Sequence, residues 1–445
     1  MRVGLIVPPW HYWANPKRIQ PLYELGFATL IDERCQGRDA QVDLIDLRET
    51  AREQWPALIP ERDLYVYWIM KSGDHNNVRD IVAGLRERFP RAAHLGGGTH
   101  VTVTPETQEA CRAIFDGIII GPGEEAVLQA LEDARGGGLV RPIYQYDYRT
   151  VRYGAFPWPR RHYLPEEAIV IGGDRMGNAR GTYRSTTIAF SRGCAFDCSF
   201  CVLNVPNMLQ FRTPESMQEE IDYLKGEYRI EALSLRDEIC IPLSRRQAVP
   251  YLETLGRSGL LWRGQTVINT DKEMVALAAR SGCVELAFGV ESASQQVLDI
   301  NCARKNQKIE DIKEMVRYCK SLGIRVKVCL VFGLPGEPPD IVETTQRFLD
   351  DTRPDFVALS ALCPFPGSPI AKDPAYFGIR FLDKDWGKYA HLLYRYSDDE
   401  EIEGLPFEYE PTNRWGKTFT RAQILENIKV IQRFAREQGM IGVSF

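Results

Sequence analysis

Short apolar runs alternate with stretches of helical spacing along the first third of the chain. Each apolar run has the length of one buried strand, and each helical stretch is long enough to cross back over a sheet. The predicted strands are 2–7, 41–46, 64–69, 94–98 and 117–120, with helices at 20–35, 78–89, 106–114 and from Glu124 onward. This alternation predicts a doubly wound, Rossmann-like parallel sheet, whose ligands lie at the carboxyl ends of the strands.

The alternation resumes at residue 186. Strands are predicted at 186–190, 230–235, 265–268, 284–290, 325–332 and 356–361, and helical stretches separate most of them. Six strand–helix units predict a partial (β/α)6 barrel, in which reactive groups gather at the carboxyl ends of the strands. The fold class is therefore expected to be α/β, with two domains.

Breaks in the pattern set the domain boundaries. Glycines at 136–138 and the run Pro157-Trp158-Pro159 interrupt the first alternation, which predicts an ordered strap between the domains. Aromatic and acidic residues follow the barrel, and a helical stretch near 421–439 closes the chain. We predict a sheet domain at 1–135, a strap at 136–185, a barrel at 186–370 and a small C-terminal cap at 371–445.

Composition restricts the environment of the protein. A net charge of −5 and a hydrophobic content of 44% fit a mildly acidic protein with sizeable cores. The chain lacks the basic stripes of a nucleic-acid footprint, and its apolar runs are too short to cross a bilayer. The first residues show no signal-peptide pattern. Together with the scattered cysteines, these features lead us to expect a cytoplasmic protein that contacts neither membrane nor nucleic acid.

The sharpest chemical signal is Cys194, Cys198 and Cys201, a CxxxCxxC spacing that follows the apolar run 186–190 and a glycine turn. A loop can wrap three thiols around one inorganic body. An iron–sulfur cube normally takes four cysteines, so three leave one iron open for a substrate or cofactor. A structural zinc site would need a fourth ligand nearby, and His162, the nearest histidine in sequence, lies well upstream. A disulfide with a spare thiol is the remaining alternative.

This loop and the later strand ends resemble the radical S-adenosylmethionine (SAM) enzymes, in which SAM occupies the open iron of a 4Fe-4S cluster. The resemblance covers 186–370 and includes Gly333-Leu334-Pro335-Gly336-Glu337 and the run 364–369. It implies Cys194, Cys198 and Cys201 as cluster ligands. The residues that it implies for SAM are Phe200 and Val202 at the adenine, Asp237 and Glu238 at the ammonium, Glu291 and Ser292 at the ribose, Phe332, Gly333 and Gly336 along the methionine or adenine, and Asn269 and Asp271 facing SAM or substrate.

The first domain is similar to the cobalamin-binding domain that precedes many radical SAM barrels. The stretches 96–100, with its Gly-Gly and His100, and 116–124 occupy the positions of that family's glycine-rich motifs. The Asp-x-His-x-x-Gly motif is missing, and Tyr67 and Trp68 would crowd the slot that receives the nucleotide tail. Cobalamin therefore stays an open cofactor. The alternative is a docking domain on a vestigial fold, with His100 either a ligand or an ordinary loop histidine.

The resemblance implies that SAM is cleaved reductively to a 5′-deoxyadenosyl radical, which abstracts hydrogen from a substrate carbon. A flavodoxin or ferredoxin would supply the electron. We expect dehydration, deoxygenation, oxidation or rearrangement of a small polar metabolite, as in the diol-dehydratases of aminoglycoside (antibiotic) biosynthesis. The alternative is a cobalamin-dependent C-methyltransferase. A non-catalytic iron–sulfur scaffold is the hypothesis from another class.

Three further features bear on the substrate. Cys240 and Cys363 follow barrel strands and could return a hydrogen atom to a product radical or ligate a further group, or else pack as small apolar side chains. The acidic run Asp398, Asp399, Glu400 and Glu401 lies among aromatic residues. It is either a solvated face or a cap that attracts a cationic, hydroxylated substrate.

Overall fold

The computed structural model describes residues 1–10, 16–35, 39–202, 207–389 and 404–440. The chain divides into two compact units. The first holds Met1–Ile169 and two short segments that begin at Gln210 and Asp385, and the second holds most of the remaining residues. Within the described ranges, no helix is both long enough and apolar enough to cross a membrane.

The first unit contains a six-stranded sheet of parallel strands in the order β2-β1-β3-β4-β5-β6. Its strands are β1 (Arg2–Val7), β2 (Gln41–Asp46), β3 (Leu64–Trp68), β4 (Ala93–Gly97), β5 (Gly117–Ile120) and β6 (Ile143–Gln145). The helices are α1 (Leu22–Cys35), α2 (Trp55–Leu58), α3 (His75–Arg88), α4 (Thr99–Thr102), α5 (Pro105–Arg112) and α6 (Glu124–Arg135). The predicted doubly wound sheet is confirmed.

The apolar runs of β1 and β3 follow from burial on both faces of this sheet. β3 is buried at every position, and β1 is buried at every position after Arg2. One apolar cluster includes Val66, Trp68 and helices α1 and α6, and the other includes Tyr65, Tyr67 and α3. Helices on both faces cover the sheet and leave the carboxyl ends of the strands as the edge at which ligands bind in such folds.

The second unit contains a seven-stranded sheet in the order β15-β14-β13-β12-β11-β8-β7. Its strands are β7 (Ile171–Asp174), β8 (Tyr183–Ile188), β11 (Ala232–Leu235), β12 (Leu261–Thr266), β13 (Cys283–Glu291), β14 (Arg325–Phe332) and β15 (Phe356–Ala361). Strands β8 to β15 of this sheet are parallel, and β7 is antiparallel to β8. The six parallel strands confirm the predicted partial barrel.

Helices follow the barrel strands and short strands flank the cysteine loop. The helices are α7 (Pro214–Tyr228), α8 (Arg245–Ser258), α9 (Lys272–Arg280), α10 (Gln295–Asn301), α11 (Ile309–Ser321), α12 (Ile341–Thr352), α13 (Pro369–Lys372) and α14 (Arg421–Glu437). The short strands are β9 (Ser191–Arg192), β10 (Gln210–Phe211), β16 (Ile379–Leu382), β17 (Phe407–Tyr409), β18 (Thr412–Asn413) and β19 (Gly416–Lys417). The segment predicted as a strap contributes β6 to the first sheet and β7 to the second.

A buried ion pair joins the edge strand β7 to the barrel interior. Arg263 on β12 pairs with Asp174 on β7 at 2.7 Å, and the two side chains are 2% and 4% exposed. Arg263 Nε also donates to Ser234 Oγ (2.9 Å), and Asp174 Oδ2 accepts from Ser185 Oγ (2.5 Å). This network satisfies polar atoms that the barrel interior would otherwise leave without water.

We expect Arg263→Met to lower the free energy of unfolding by about 3 to 5 kcal/mol, because it leaves the Asp174 carboxylate buried without its cation. The shift of the urea midpoint of the barrel measures this loss. The double variant Asp174→Asn/Arg263→Met should recover part of it. Arg433→Met, which breaks the exposed pair with Glu426, should cost only about 0 to 1 kcal/mol. Equal shifts for the two single variants would contradict the assignment.

Candidate active site

The cysteine loop follows β8 and β9 and is held by the last residue of α10. Ser199 N–H donates to the carbonyl oxygen of Asn301 (2.8 Å), and the Ser199 hydroxyl donates to Asn301 Oδ1 (2.6 Å). From the start of α13, Ile370 N–H donates to Ser199 O (2.9 Å). Two segments that are distant in sequence thereby fix the loop and its three thiols.

Asp237, directly after β11, braces the turn that precedes the cysteines. Its Oδ1 accepts hydrogen bonds from the N–H groups of Phe190 (3.1 Å) and Ser191 (2.6 Å) and from the Ser191 hydroxyl (2.6 Å). Its Oδ2 is buried and has no partner among the described residues. Burial raises the pKa of Asp237 to about 7, although the hydrogen bonds from Ser191 and Phe190 oppose this shift. One oxygen is thus committed to the loop, and the other is left for a ligand.

The three thiols of the loop are the donor type that iron–sulfur clusters use. Three thiolates on one loop would leave one iron of a four-iron cluster open. Elsewhere in the part of the chain that the structure describes, His75, His100 and Cys111 form a group whose ligand atoms lie within 4.8 Å of one another.

A fourth thiol lies against the loop. Cys302, which directly follows α10, is buried and hydrogen bonded to the Cys198 thiol. This hydrogen bond lowers the pKa of Cys198, whereas burial raises the pKa of Cys194. Glu238 also raises the pKa of Cys194 electrostatically, and Lys305 opposes it. Glu238 therefore lies near enough to Cys194 to act on it electrostatically, in accordance with its position after β11.

A buried ion pair stands beside the thiols. Lys305 Nζ donates to Glu291 Oε1 (2.7 Å), and the two side chains are 8% and 11% exposed. Asn269 Nδ2 donates to the Lys305 carbonyl oxygen. Burial lowers the pKa of Lys305, but the attraction of Glu291, Cys198 and Cys302 outweighs it, so the pKa is raised and the ammonium stays charged. A fixed positive charge beside thiolate ligands stabilises the negative charge that a bound cluster carries.

The backbone is unusual where it presents Glu291. This residue has a φ of 69°, and the pairing of β13 with β14 shifts register between Gly289 and Glu291. Residues other than glycine seldom occupy this left-handed region, and when they do the site is often functional. Next to it, Ser292 is buried and its Oγ accepts from Ser294 N–H (3.2 Å).

The turn after β14 is closed by a carboxyl group. Glu337 Oε1 accepts from the N–H groups of Gly333 (2.8 Å) and Leu334 (3.3 Å), and the Tyr409 hydroxyl donates to Gly333 O (2.7 Å). Gly333 and Gly336 have φ values of 81° and 86°, which explains the glycines. Burial raises the pKa of Glu337 to about 8. The turn is therefore held in one conformation, and its approach to SAM stays a prediction.

The remaining predicted site residues differ in their burial and in the contacts that they make. Phe332 is buried, and Phe200 and Val202 are half-buried on the loop. Asp271 caps α9 by accepting from Glu273 N–H (2.8 Å) and pairs with Arg245 (2.7 Å), so its carboxylate has a structural role. The acidic run from Asp398 to Glu401 lies outside the described residues.

The two candidate catalytic thiols are both buried. A Cβ atom on Gly264 would lie 2.8 Å from Cys240 Sγ, so this thiol fills the space beside a glycine of β12. Burial also raises the pKa of Cys240 well above its ordinary value. This environment favours a packing role for Cys240. Cys363 is 3% exposed directly after β15 and stays a candidate.

Sequence reasoning missed Asn301, Cys302 and Lys305. All three follow the Glu291-Ser292 motif within α10 or the turn after it. Their spacing has no recognisable pattern, and only the docking of that segment on the cysteine loop reveals their role. The signal that could have found them is polar residues on a short helix directly after a strand end that carries a predicted ligand-binding carboxylate.

The first unit carries the predicted crowding at its ligand edge. Tyr67 and Trp68 are 0% and 5% exposed, and Tyr67 OH is hydrogen bonded to His94 Nδ1 (3.1 Å). His100 is buried after a turn at Gly98, whose φ of 104° only glycine adopts readily. Trp68 lies against Gly97 and Gly123, at the place where the nucleotide tail of cobalamin would need space. The side chains present do not fit that group.

The comparisons with known proteins agree with this geometry. The sequence profile of the Radical SAM superfamily matches residues 188–349. The chain therefore contains a radical SAM domain. Its structure is similar to that of TsrM from Kitasatospora setae, a radical SAM methyltransferase solved with cobalamin and a [4Fe-4S] cluster, with a TM-score of 0.68, 18% identity and coverage of 100% of this chain and 91% of that one. It also resembles OxsB, a cobalamin-dependent SAM radical enzyme, with a TM-score of 0.57, 16% identity and coverage of 84% and 55%.

These likenesses confirm a radical SAM fold with a cobalamin-binding-like domain, and the superfamily confirms a 4Fe-4S cluster and SAM as cofactors. One curated relative is an uncharacterized methyltransferase of Pyrococcus horikoshii, 27% identical over 315 residues, 66% of each chain. Another is the anaerobic magnesium-protoporphyrin IX monomethyl ester cyclase of Rubrivivax gelatinosus, 26% identical over 238 residues, which are 52% of this chain but only 40% of the cyclase.

We expect Lys305→Met to destabilise the protein by about 3 to 5 kcal/mol, because Glu291 would lose its buried cation. Thermal unfolding of the anaerobically reconstituted protein measures this loss. The double variant Glu291→Gln/Lys305→Met should regain most of the midpoint but bind SAM weakly in equilibrium dialysis. An unchanged midpoint for the single variant would show that the pair is not held as described.

Glu337 makes stability depend on pH with a defined sign. Its pKa is about 8 in the folded chain against an ordinary 4.5, so the folded state keeps this proton to higher pH. The free energy of unfolding therefore falls as pH rises through that window. Glu337→Gln keeps an acceptor for Gly333 and Leu334 but never ionises. Between about pH 5 and 9, the melting temperature of this variant should therefore fall less than that of the wild type. Parallel pH curves for the two proteins would contradict this prediction.

Proposed function

We propose that this enzyme cleaves SAM reductively and uses the 5′-deoxyadenosyl radical to abstract a hydrogen atom from an unactivated carbon of a small polar metabolite. One observation carries the proposal: three thiols on one fixed loop share a buried site with the Lys305–Glu291 pair and with Asp237. Three ligands leave one cluster iron for SAM, and carboxylates at neighbouring strand ends suit its cationic and hydroxylated parts.

The chain's own residues would bind and orient the cofactors. Cys194, Cys198 and Cys201 would hold the cluster, which when bound supplies the electron that splits the SAM sulfonium. Asp237 Oδ2 and Glu238 would pair with the SAM ammonium, and Glu291 would accept hydrogen bonds from the ribose hydroxyls. The turn at Gly333 excludes water and presents backbone to the ligand. A flavodoxin or ferredoxin would be the electron donor.

Two fates of the substrate radical compete. Methyl transfer is the fate that the comparisons favour, because further relatives are named as methyltransferases, among them those of Streptomyces wedmorensis and Chlorobaculum tepidum. The packing of Trp68 against Gly97 and Gly123 favours instead a reaction without cobalamin, namely dehydration, deoxygenation, oxidation or rearrangement. On geometry we place this second group first, with C-methyl transfer as the other candidate.

The test is anaerobic reconstitution with iron, sulfide and hydroxocobalamin, followed by reduction in the presence of SAM and mass spectrometry of the products. We expect 5′-deoxyadenosine without S-adenosylhomocysteine. Formation of S-adenosylhomocysteine together with a methylated product would establish methyl transfer instead. If neither nucleoside forms in the reduced, reconstituted protein, the proposal of radical chemistry is wrong.

The cluster ligands are tested with a matched pair of variants. Cys198→Ala should lose most bound iron and abolish 5′-deoxyadenosine formation, because the two remaining loop thiols cannot hold the cluster. Cys319→Ser changes a buried thiol of α11 and should keep wild-type iron content. Iron content is measured separately from turnover, so a folding defect and a lost ligand are distinguished.

A further inference from the structure

The carboxyl edge of the N-terminal sheet is the place where a ligand is expected. A sheet with the order 2-1-3-4-5 binds its ligand where the strand order reverses, between β1 and β3. The residues at that edge are Pro8 and Pro9 after β1, 69–72 after β3, Gly98 after β4 and 121–123 after β5. Any cofactor of this unit, including a corrinoid, would have to enter there.

Trp68 closes this edge from within the sheet. A Cβ atom on Gly97 would lie 2.5 Å from the Trp68 ring, and one on Gly123 would lie 2.7 Å from it and 2.6 Å from Phe27. The rings of Phe27 and Trp68 pack edge to face, with centroids 4.8 Å apart. The indole of Trp68 therefore fills the space beside Gly97 and Gly123 that a ligand could otherwise occupy.

The outer side of the same edge is covered by a C-terminal segment that belongs to this unit. Trp386 packs edge to face on both His75 and His100, with ring centroids 4.7 and 5.0 Å apart. Asn76 Nδ2 donates to Asp385 Oδ1 (2.7 Å), and Tyr389 is 4% exposed. The segment is thus fixed by an aromatic contact, a hydrogen bond and a buried side chain.

The two histidines beneath Trp386 are hydrogen bonded to each other. His75 Nδ1 and His100 Nε2 are 3.0 Å apart, and His100 Nδ1 is 3.0 Å from Ser72 Oγ. Burial lowers the pKa of His75 to about 4 and that of His100 to about 3, so both rings are neutral. These neutral rings, hydrogen bonded to each other and to Ser72, offer an anionic phosphate no positive charge of their own.

We infer that the carboxyl edge of the N-terminal sheet takes no corrinoid and serves instead as the anchor of the C-terminal segment 385–389, closed inside by Trp68 and outside by Trp386. A ligand would have to displace two indoles and break the Asn76–Asp385 hydrogen bond. The cobalamin-binding-like fold then has a structural use in this chain. The inference goes beyond the proposed function, and its failure would leave SAM cleavage untouched.

The experiment is anaerobic purification of the full chain from cells supplied with hydroxocobalamin, followed by desalting and corrinoid quantification by absorbance. We expect wild type to retain no corrinoid above an unrelated control protein. Trp68→Ala should raise retention about tenfold or more, because it leaves a cavity of the size of an indole. About one equivalent of corrinoid on wild type would overturn the inference. So would a folded Trp68→Ala protein without any gain.

The controls distinguish a specific binding site for corrinoid from a general loss of packing in this unit. Trp55→Ala is matched, because Trp55 is also 5% exposed in this unit, and its indole N–H likewise lacks an acceptor among the described residues. It should gain no corrinoid, and equal gains in the two variants would overturn the role of Trp68. Trp68→Leu serves if the alanine variant fails to fold. Cobinamide, which lacks the nucleotide tail, should also be absent from wild type, and its retention would show that the edge is open.

The anchor is tested on its own by hydrogen exchange. Trp386→Ala should speed amide exchange several-fold in 70–76 and 99–103, because the cover over the histidine pair is lost. Unchanged exchange in both segments would overturn the anchoring role. Formation of 5′-deoxyadenosine, measured on the same preparations, reports the proposed function separately from both readouts.

Discussion

The site depends on the docking of the cysteine loop onto Asn301. Asn301 accepts hydrogen bonds from Ser199 at its main-chain carbonyl oxygen and at its side-chain Oδ1. The side-chain Nδ2 donates to Val297 O and Pro335 O, each at 2.9 Å. One buried side chain thus joins the loop, α10 and the turn after β14. Because every polar atom of the amide is satisfied, the connection is rigid, and a buried polar network that is fully satisfied specifies a single arrangement.

The electrostatics of the site follow from that arrangement. Docking α10 on the loop brings Cys302 against Cys198 and sets Lys305 beside the thiols, where Glu291 holds it. A positive charge fixed in low dielectric would act on the predicted cluster ligands without reorganising. The same carboxylate lies at a strained strand end, and the ion pair with Lys305 holds it in place.

The first unit has the fold of a ligand-binding domain, but we infer a structural role for it in this chain. Its strand order and glycine turns are those of a ligand-binding sheet, but indoles occupy both sides of the edge. Similarity to cobalamin-containing structures at 16–18% identity establishes the fold, whereas the packing of individual side chains decides what the edge accepts. What the edge accepts is therefore decided by these side chains and not by the fold.

The sequence by itself determined the two alternations of strands and helices, because the period of the apolar positions depends on local geometry alone. It also determined the three-thiol loop and the carboxylates at strand ends, since these lie in short motifs next to recognisable strands. It did not reveal Asn301, Cys302 or Lys305, which meet the loop across about a hundred residues of chain. Nor could it show Trp386 over His75 and His100, a contact between segments some three hundred residues apart. Such contacts arise only when the strands set the helices and turns in space, and no local pattern encodes that placement.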